Sequence, residues 1–315
     1  MFRVKEKPSN IAVIISTVDR PVSLAECLRG LAGSEAAVQR VIVVDASSDK
    51  AATRQAIGPA QPWPFQLDYV ESPVRGSAGQ RNLGLRRLAG EDGVLFIDDD
   101  AVVEPDCIGE MLEAFSGDVA GVAANISNQP VGKPGLATRI ALFLVGGGWS
   151  GDPSGRLIGP AVGILPRHDL PQRFLEIKWA PTTCVLYRRN ALPLGGFRTF
   201  FSGYSLGEDV ALSVDAHRCG RLVYASAARI IHTLAKTAKP PPYDYGRMEV
   251  LNRYYLSRYV LERRSLTQRL QFWIWIGWEF LGSLGEIRRS PWDWLVNWQG
   301  RFSAMVQILT GRTDG

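Results

Sequence analysis

Five short strand-like runs punctuate the first part of the chain: Ile11–Ile15, Val41–Val44, Leu67–Glu71, Val94–Ile97 and Val119–Asn125. Most are almost wholly apolar and too short for core helices, which suits strands buried on both faces. Helical spacing lies between them, over Pro21–Leu31, Ser77–Leu88 and Pro105–Phe115. The first has Pro at its start and Gly33 just past its end, the usual punctuation of a helix. This alternation predicts an α/β domain with a mostly parallel sheet flanked by helices. Such sheets bind ligands at the carboxyl ends of their strands.

The pattern fades over 127–173, which is rich in Gly and Pro and predicts a long loop region with short strands near an active site. It returns as a strand over Trp179–Arg188, a turn at Gly195-Gly196-Phe197, a helix over Asp209–Cys219 and a strand over Arg221–His232. The proline-rich Lys239–Tyr243 predicts an extended connector before a helix over Arg247–Arg263. Beyond Ser265, Leu270, Trp273, Ile274, Trp278, Leu281 and Leu284 recur at helical spacing. Leu295, Trp298, Phe302, Met305 and Leu309 form a second stripe after Ser290-Pro291. The first stretch is shorter than a membrane span and contains Glu279, so two amphipathic helices are predicted. They lie on a membrane or a partner, or pack back on the core. The division is a domain over 1–260 and a helical extension over 261–315.

Charge sharpens this division. The 315-residue chain carries a net charge of +5, with 15 Lys and Arg against 7 Asp and Glu from Ala216 onward. Most tryptophans also fall in the C-terminal stretch, which points to an anionic membrane surface rather than nucleic acid. Met1–Pro8 is charged and does not read as a signal peptide. Cys27, Cys107, Cys184 and Cys219 are scattered, as expected of reduced, mostly buried thiols in a cytosolic protein.

The chemistry concentrates after the fourth run. Asp98-Asp99-Asp100 follow Val94–Ile97 directly. Adjacent carboxylates repel, and a hard divalent cation such as Mg²⁺ or Mn²⁺ would relieve that repulsion. A solvated acidic loop is the alternative. Asp19 and Asp45 also fall at strand ends, where they suit a nucleobase or ribose contact, or equally a turn or helix cap. Arg81 and Asn82 lie in the first turns of a helix after Gly76 and Gly79, where an Arg can meet a diphosphate. Glu208 and Asp209 open a helix behind a glycine-containing loop, as caps or as a general base.

In order and spacing, "IAVIISTVDRP", "VVDASSD", "RNLGLRRLAGE", "LFIDDD", "CVLYRRNALPLGGF" and "GEDVALSV" resemble the inverting family 2 glycosyltransferases of GT-A fold, over about residues 9–260. The resemblance implies that Thr17, Asp19, Arg20, Asp45, Arg81, Asn82, Asp98 and Asp99 serve the nucleotide sugar. Asp19 and Asp45 would meet base and ribose, and Asp98 the ribose. Asp100 would hold Mn²⁺ or Mg²⁺, with His232 as a second ligand or as a structural residue. Asp209 would be the catalytic base, oriented by Glu208. Thr183 and Cys184 would lie on the acceptor side. Two positions depart from the family pattern: Ala46 stands where a second acidic residue is common, and Cys184 where a small residue is usual. No Gln-x-x-Arg-Trp motif of processive synthases occurs, so transfer of one or a few sugars is implied. The donor would be a UDP- or dTDP-sugar and the acceptor a glycan or lipid-linked intermediate at the inner face of the cell membrane. A nucleotidyltransferase would need a Gly-rich, Lys-containing loop near the N-terminus, and "STVDRP" is not one. A non-catalytic scaffold would not need the intact DxD and Glu208-Asp209.

Overall fold

The computed structural model describes residues 6–58, 62–149, 151–233 and 239–312; most of the charged N-terminal segment thus lies outside the described residues. The chain divides into two compact units, one formed by 1–132 with 165–236 and the other by 133–164 with 237–315. The second unit therefore takes both an internal insertion and the segment from 237 to 260, in contrast to a linear division at 260.

In chain order the elements are β1 (Ile11–Thr17), α1 (Pro21–Ala32), β2 (Arg40–Asp45), α2 (Lys50–Ile57), β3 (Gln66–Glu71), α3 (Ser77–Leu85), β4 (Gly93–Asp98), β5 (Ala101–Val103), α4 (Cys107–Glu113) and β6 (Val119–Ile126). Then follow α5 (Leu136–Leu144), β7 (Leu157–Ile158), β8 (Val162–Gly163), β9 (Phe174–Ile177), β10 (Cys184–Arg188), α6 (Glu208–His217), β11 (Arg221–His232), α7 (Pro242–Tyr255), α8 (Leu266–Ser283) and α9 (Pro291–Leu309).

The first unit is built on one sheet in the order β3-β2-β1-β4-β10-β6-β11-β5, with β9 also on β11. β3, β2, β1 and β4 are parallel, β10 runs antiparallel between β4 and β6, and β6 is parallel to β11. The sheet is thus mixed but mostly parallel. The chain winds outward from β1 to β3, then returns to β4 on the other side of β1, so the order reverses there. A crevice at the carboxyl ends of β1 and β4 follows from that reversal. Residues 11–15 of β1 and 94–97 of β4 are almost fully buried. Their alternate side chains Val13, Ile15, Leu95 and Ile97 join Leu24 and Leu28 of α1 and Ile108 and Met111 of α4 in one core.

Four elements, α2, β5, α5 and β9, were not read from the sequence, and one strand is shorter than expected. β5 begins directly after the acidic triplet and pairs with β11 as His232 opposite Ala101, so the triplet is a tight turn between two strands. The expected loop region holds the β7–β8 pair, in line with its short strands, and also α5, a short helix between glycines with too few turns to set up a clear period. Of the expected strand Trp179–Arg188 only Cys184–Arg188 is β10. Pro181 lacks the N–H that a ladder needs there.

In the second unit α7 packs along α9. A Cβ on Gly300 would stand 2.0 Å from the Tyr243 carbonyl, and one on Gly246 2.2 Å from the Asn297 carbonyl, so only glycine allows this approach. The helix expected over Arg247–Arg263 is α7 plus a π-helical turn, Leu256–Val260, and it starts earlier, at Pro242. α8 opens on a capping box between Ser265 and Gln268. Glu279 of α8 accepts from Arg253 (2.7 Å), Arg301 (3.2 Å) and Trp275 Nε1 (2.8 Å), tying α7, α8 and α9 together. No described helix is long and apolar enough to cross a membrane.

Candidate functional site

The end of β4 and the turn after it carry three carboxylates with three different fates. Asp99 is buried, accepting from Thr17 Oγ1 at 2.7 Å and from Arg20 Nη1 at 2.8 Å. Burial pushes its carboxyl up to about 6, partly offset by the Arg20 charge. Asp99 thus locks the triplet onto the ends of β1 and α1. Asp100 points the other way, meeting His232 Nε2 at 3.1 Å through one oxygen and Arg20 at 3.3 Å through the other. Asp98 is the most open of the three, its side chain 29% exposed, and takes Arg81 Nη2 at 2.6 Å.

Asp98, Asp100 and His232 each turn a ligand atom into one spot, all within 4.8 Å of one another. Two carboxylate oxygens and one imidazole nitrogen suit Mn²⁺ or Mg²⁺, with the remaining positions left to water and phosphate oxygens. The His232 ring is held by Gln129 Nε2, 3.1 Å from Nδ1, and the Asp100 carboxylate raises its pKa.

The second acidic pair opens α6. Gly207 before it has φ +92°, a conformation that favours glycine. Glu208 is buried, and one of its oxygens accepts from Arg81 Nη1 (2.8 Å), Ser77 Oγ (3.3 Å) and Thr182 Oγ1 (3.4 Å). Asp209 is only partly buried and takes its own helix's Val210 N–H at 2.8 Å. Burial raises both groups, Glu208 to about 7 with help from the Asp209 charge, and Asp209 to about 6. The arrangement gives a fixed, multiply bonded Glu208 beside a less encumbered Asp209, the shape of a base with its positioning neighbour.

Arg81 joins the two halves. Its guanidinium is 2% exposed, spans from Asp98 to Glu208 and sits 5.6 Å above the Phe197 ring. It is therefore an internal brace between two carboxylates, whereas its place in α3 had suggested a contact to a diphosphate. Asn82 is also committed: its amide donates to Phe197 O at 2.8 Å and accepts from Phe197 N at 2.7 Å, pinning the Gly195–Phe197 turn. Asp45 is completely buried, bonded to Tyr69 Oη and Ser47 N (2.7 Å each). Asp19, with φ +54°, stays at the surface with Ser48 N at 2.6 Å and Arg75 at 2.8 Å. Of those two aspartates, only Asp19 is placed to meet a ligand directly.

On the other flank, Thr183 gives its carbonyl to Asp98 N at 3.1 Å, placing it on the rim. Cys184 turns into the core, where it belongs to the main apolar cluster beside Cys107, and its contact with Cys107 together with burial raises its pKa and keeps it a thiol. Thr183 stands in the turn just before β10, so the two neighbours have different surroundings. Cys27 and Cys107 are buried as well, and Cys219 is exposed; all four thiols are free. Ser77, Thr182 and Gln129 were not singled out from the sequence. Gln129 falls in a stretch without periodicity, whereas Thr182 borders the motif and carried the one usable signal.

The model of glycosyl transferase family 2 matches residues 12–192, more than half of the chain. The chain belongs to this family. Among solved structures, residues 1–349 of S. aureus TarS superpose with TM-score 0.55 at 15% identity, over 97% of this chain and 82% of that one. The mannosyltransferase PcManGT of Pyrobaculum calidifontis, solved with GDP-Man and Mn²⁺, superposes with TM-score 0.52 at 16% identity, over 96% and 87%. At such identities the likeness is one of fold, and this family 2 chain has the GT-A architecture. No curated protein matches it in sequence.

Proposed function

We propose that this family 2 glycosyltransferase is a metal-dependent, inverting enzyme that moves one sugar from a nucleoside diphosphate to an acceptor hydroxyl. The observation that carries the reading is the Arg81 brace, which sets the Asp98–Asp100–His232 cluster beside Glu208–Asp209. Asp98, Asp100 and His232 would hold Mn²⁺ or Mg²⁺, which would neutralise charge on the departing diphosphate. Asp19, with Thr17 and Arg20 behind it, would line the nucleotide end. Asp209 removes the proton of the acceptor hydroxyl as its oxygen bonds to the anomeric carbon and the bond to the diphosphate oxygen breaks. Glu208, fixed by Arg81, orients Asp209. One base without a second catalytic carboxylate supports a single displacement, hence inversion.

UDP- and dTDP-sugars are the proposed donors and a glycan or lipid-linked intermediate the proposed acceptor. The neighbours' GDP-Man and UDP-GlcNAc keep other bases and sugars in the screen. Incubation with a panel of nucleotide sugars and Mn²⁺ tests the reading. Release of nucleoside diphosphate, abolished by Asp100→Ala, is the expected result. Release of pyrophosphate would instead assign a nucleotidyltransferase, and no turnover of any donor a binding protein.

A further inference from the structure

Of the 22 large apolar side chains exposed among the described residues, 17 lie in the second unit, which is about a third of the chain. Monomeric soluble proteins scatter such residues, and their concentration marks a surface that meets something. In α8 and α9 they are ordered by helix geometry. Phe272, Trp275 and Ile276 of α8 are buried, while Leu266, Leu270, Leu281 and Leu284 recur along another face, 40% to 81% exposed. In α9 the buried side is Gly300, Arg301 and Ala304, and the far side carries Trp292, Leu295, Phe302, Val306 and Leu309, 42% to 72% exposed. The two stripes approach at the α8–α9 corner, where Phe280 packs on Trp298 at 4.7 Å and on Trp294 at 6.0 Å.

The corner also carries cations. Arg288 and Arg289 stand exposed in the turn between Leu284 and Trp292, with no carboxylate partner among the described residues. Glu286 and Asp293 are the acidic residues beside them, so the basic surplus belongs to the unit as a whole. The whole unit carries 14 Lys and Arg against 8 Asp and Glu, whereas the first unit carries 22 against 23. A second copy of this unit would therefore bring together two units of like net charge. A bilayer with anionic headgroups offers the opposite charge, a polar layer for the arginines and an interfacial depth that suits Trp.

We infer that the α8–α9 corner, with Leu284, Trp292 and Leu295 inserted and Arg288 and Arg289 in the headgroups, docks this protein on an anionic lipid surface. The inference rests on the second unit alone and holds whatever sugar the first unit transfers. Helix α5 supplies a further stripe that the sequence did not reveal: Leu136, Ile140, Phe143 and Leu144, 43% to 64% exposed, opposite the buried Ala141 and Val145.

Flotation of the full-length protein with liposomes tests it, comparing phosphatidylcholine alone with phosphatidylcholine containing phosphatidylglycerol. The wild type is expected to float with the anionic vesicles and to be released by salt. Arg288→Gln with Arg289→Gln should weaken vesicle binding by about tenfold or more. Leu284→Ser with Trp292→Ser should abolish it, while Leu194→Ser, on an exposed side chain of the first unit, should not. Unchanged circular dichroism and donor turnover in each variant show that the fold and the transfer site are intact. Equal flotation of variants and wild type, or no flotation of the wild type, overturns the inference. A wild-type dimer that the Leu284 and Trp292 changes convert to monomer, without vesicle binding, would overturn it in favour of a second copy.

Discussion

Asp209 and Glu208 do different work because their surroundings differ. Asp209→Asn keeps the shape and removes the proposed base, so steady-state transfer should fall by about 10²–10⁴ while donor affinity by calorimetry stays close to wild type. The pH profile follows from the same carboxylates. Burial raises Asp209 to about 6 and Glu208 to about 7, and a base works only when ionised. Turnover at saturating donor should therefore climb as pH rises through 6 to 7 and level off above. A flat profile from pH 5 to 8 would remove Asp209 as the base. Arg81 tests the brace: Arg81→Met leaves Asp98 and Glu208 facing each other without a cation. Breaking a buried pair in this way costs about 3–5 kcal/mol, read as a lower denaturation midpoint in urea.

At the level of elements, the site is a matter of strand ends. The acidic triplet, Asp19 and Asp209 could be found because strand and helix starts leave periodic marks. The strands of the reversal at β1 and β4 were legible for the same reason, their apolar runs being buried on both faces; of the helices between them, α1 and α3 were read and α2 was not. What could not be read was how side chains turn. Arg81 looked like a phosphate contact because a helix start suits one, but a guanidinium 17 residues before Asp98 in sequence folds inward onto it. Cys184 looked like an acceptor residue through its motif, yet its side chain lies in the core. Asn82 is a turn clamp for a similar reason. Asn82→Ala should release the Gly195–Phe197 turn and leave the buried Phe197 N–H without its partner, costing about 1–3 kcal/mol in chemical denaturation.

Across the whole molecule, a cation held by the proposed cluster would link distant parts of the chain. Asp98 and Asp100 come from one end of the β4–β5 turn and His232 from the last strand of the sheet. Adding Mn²⁺ should therefore raise the thermal midpoint of the metal-free protein, by an amount that grows with the ion's concentration. His232→Ala should shrink that rise, and lowering the pH should do the same, because the Asp100-raised His232 must give up its proton to bind. A midpoint indifferent to Mn²⁺ would dissolve the cluster as a metal site. The second unit escaped a linear reading because its insertion, 133–164, joins a segment that begins more than seventy residues later.

The family's recognisable stretch ends at residue 192, but Glu208, Asp209 and His232 all come after it. During synthesis the chain would thus complete its signature while it still lacks half of its working groups. Until Glu208 leaves the ribosome, Arg81 has only one of its two carboxylates, and until His232 leaves it, Asp98 and Asp100 have no third ligand. A nascent or truncated chain ending near residue 200 would look like a member of the family and lack the groups proposed to act on a donor. Competence would arrive late and in two steps, first with α6 and then with the last strand of the sheet.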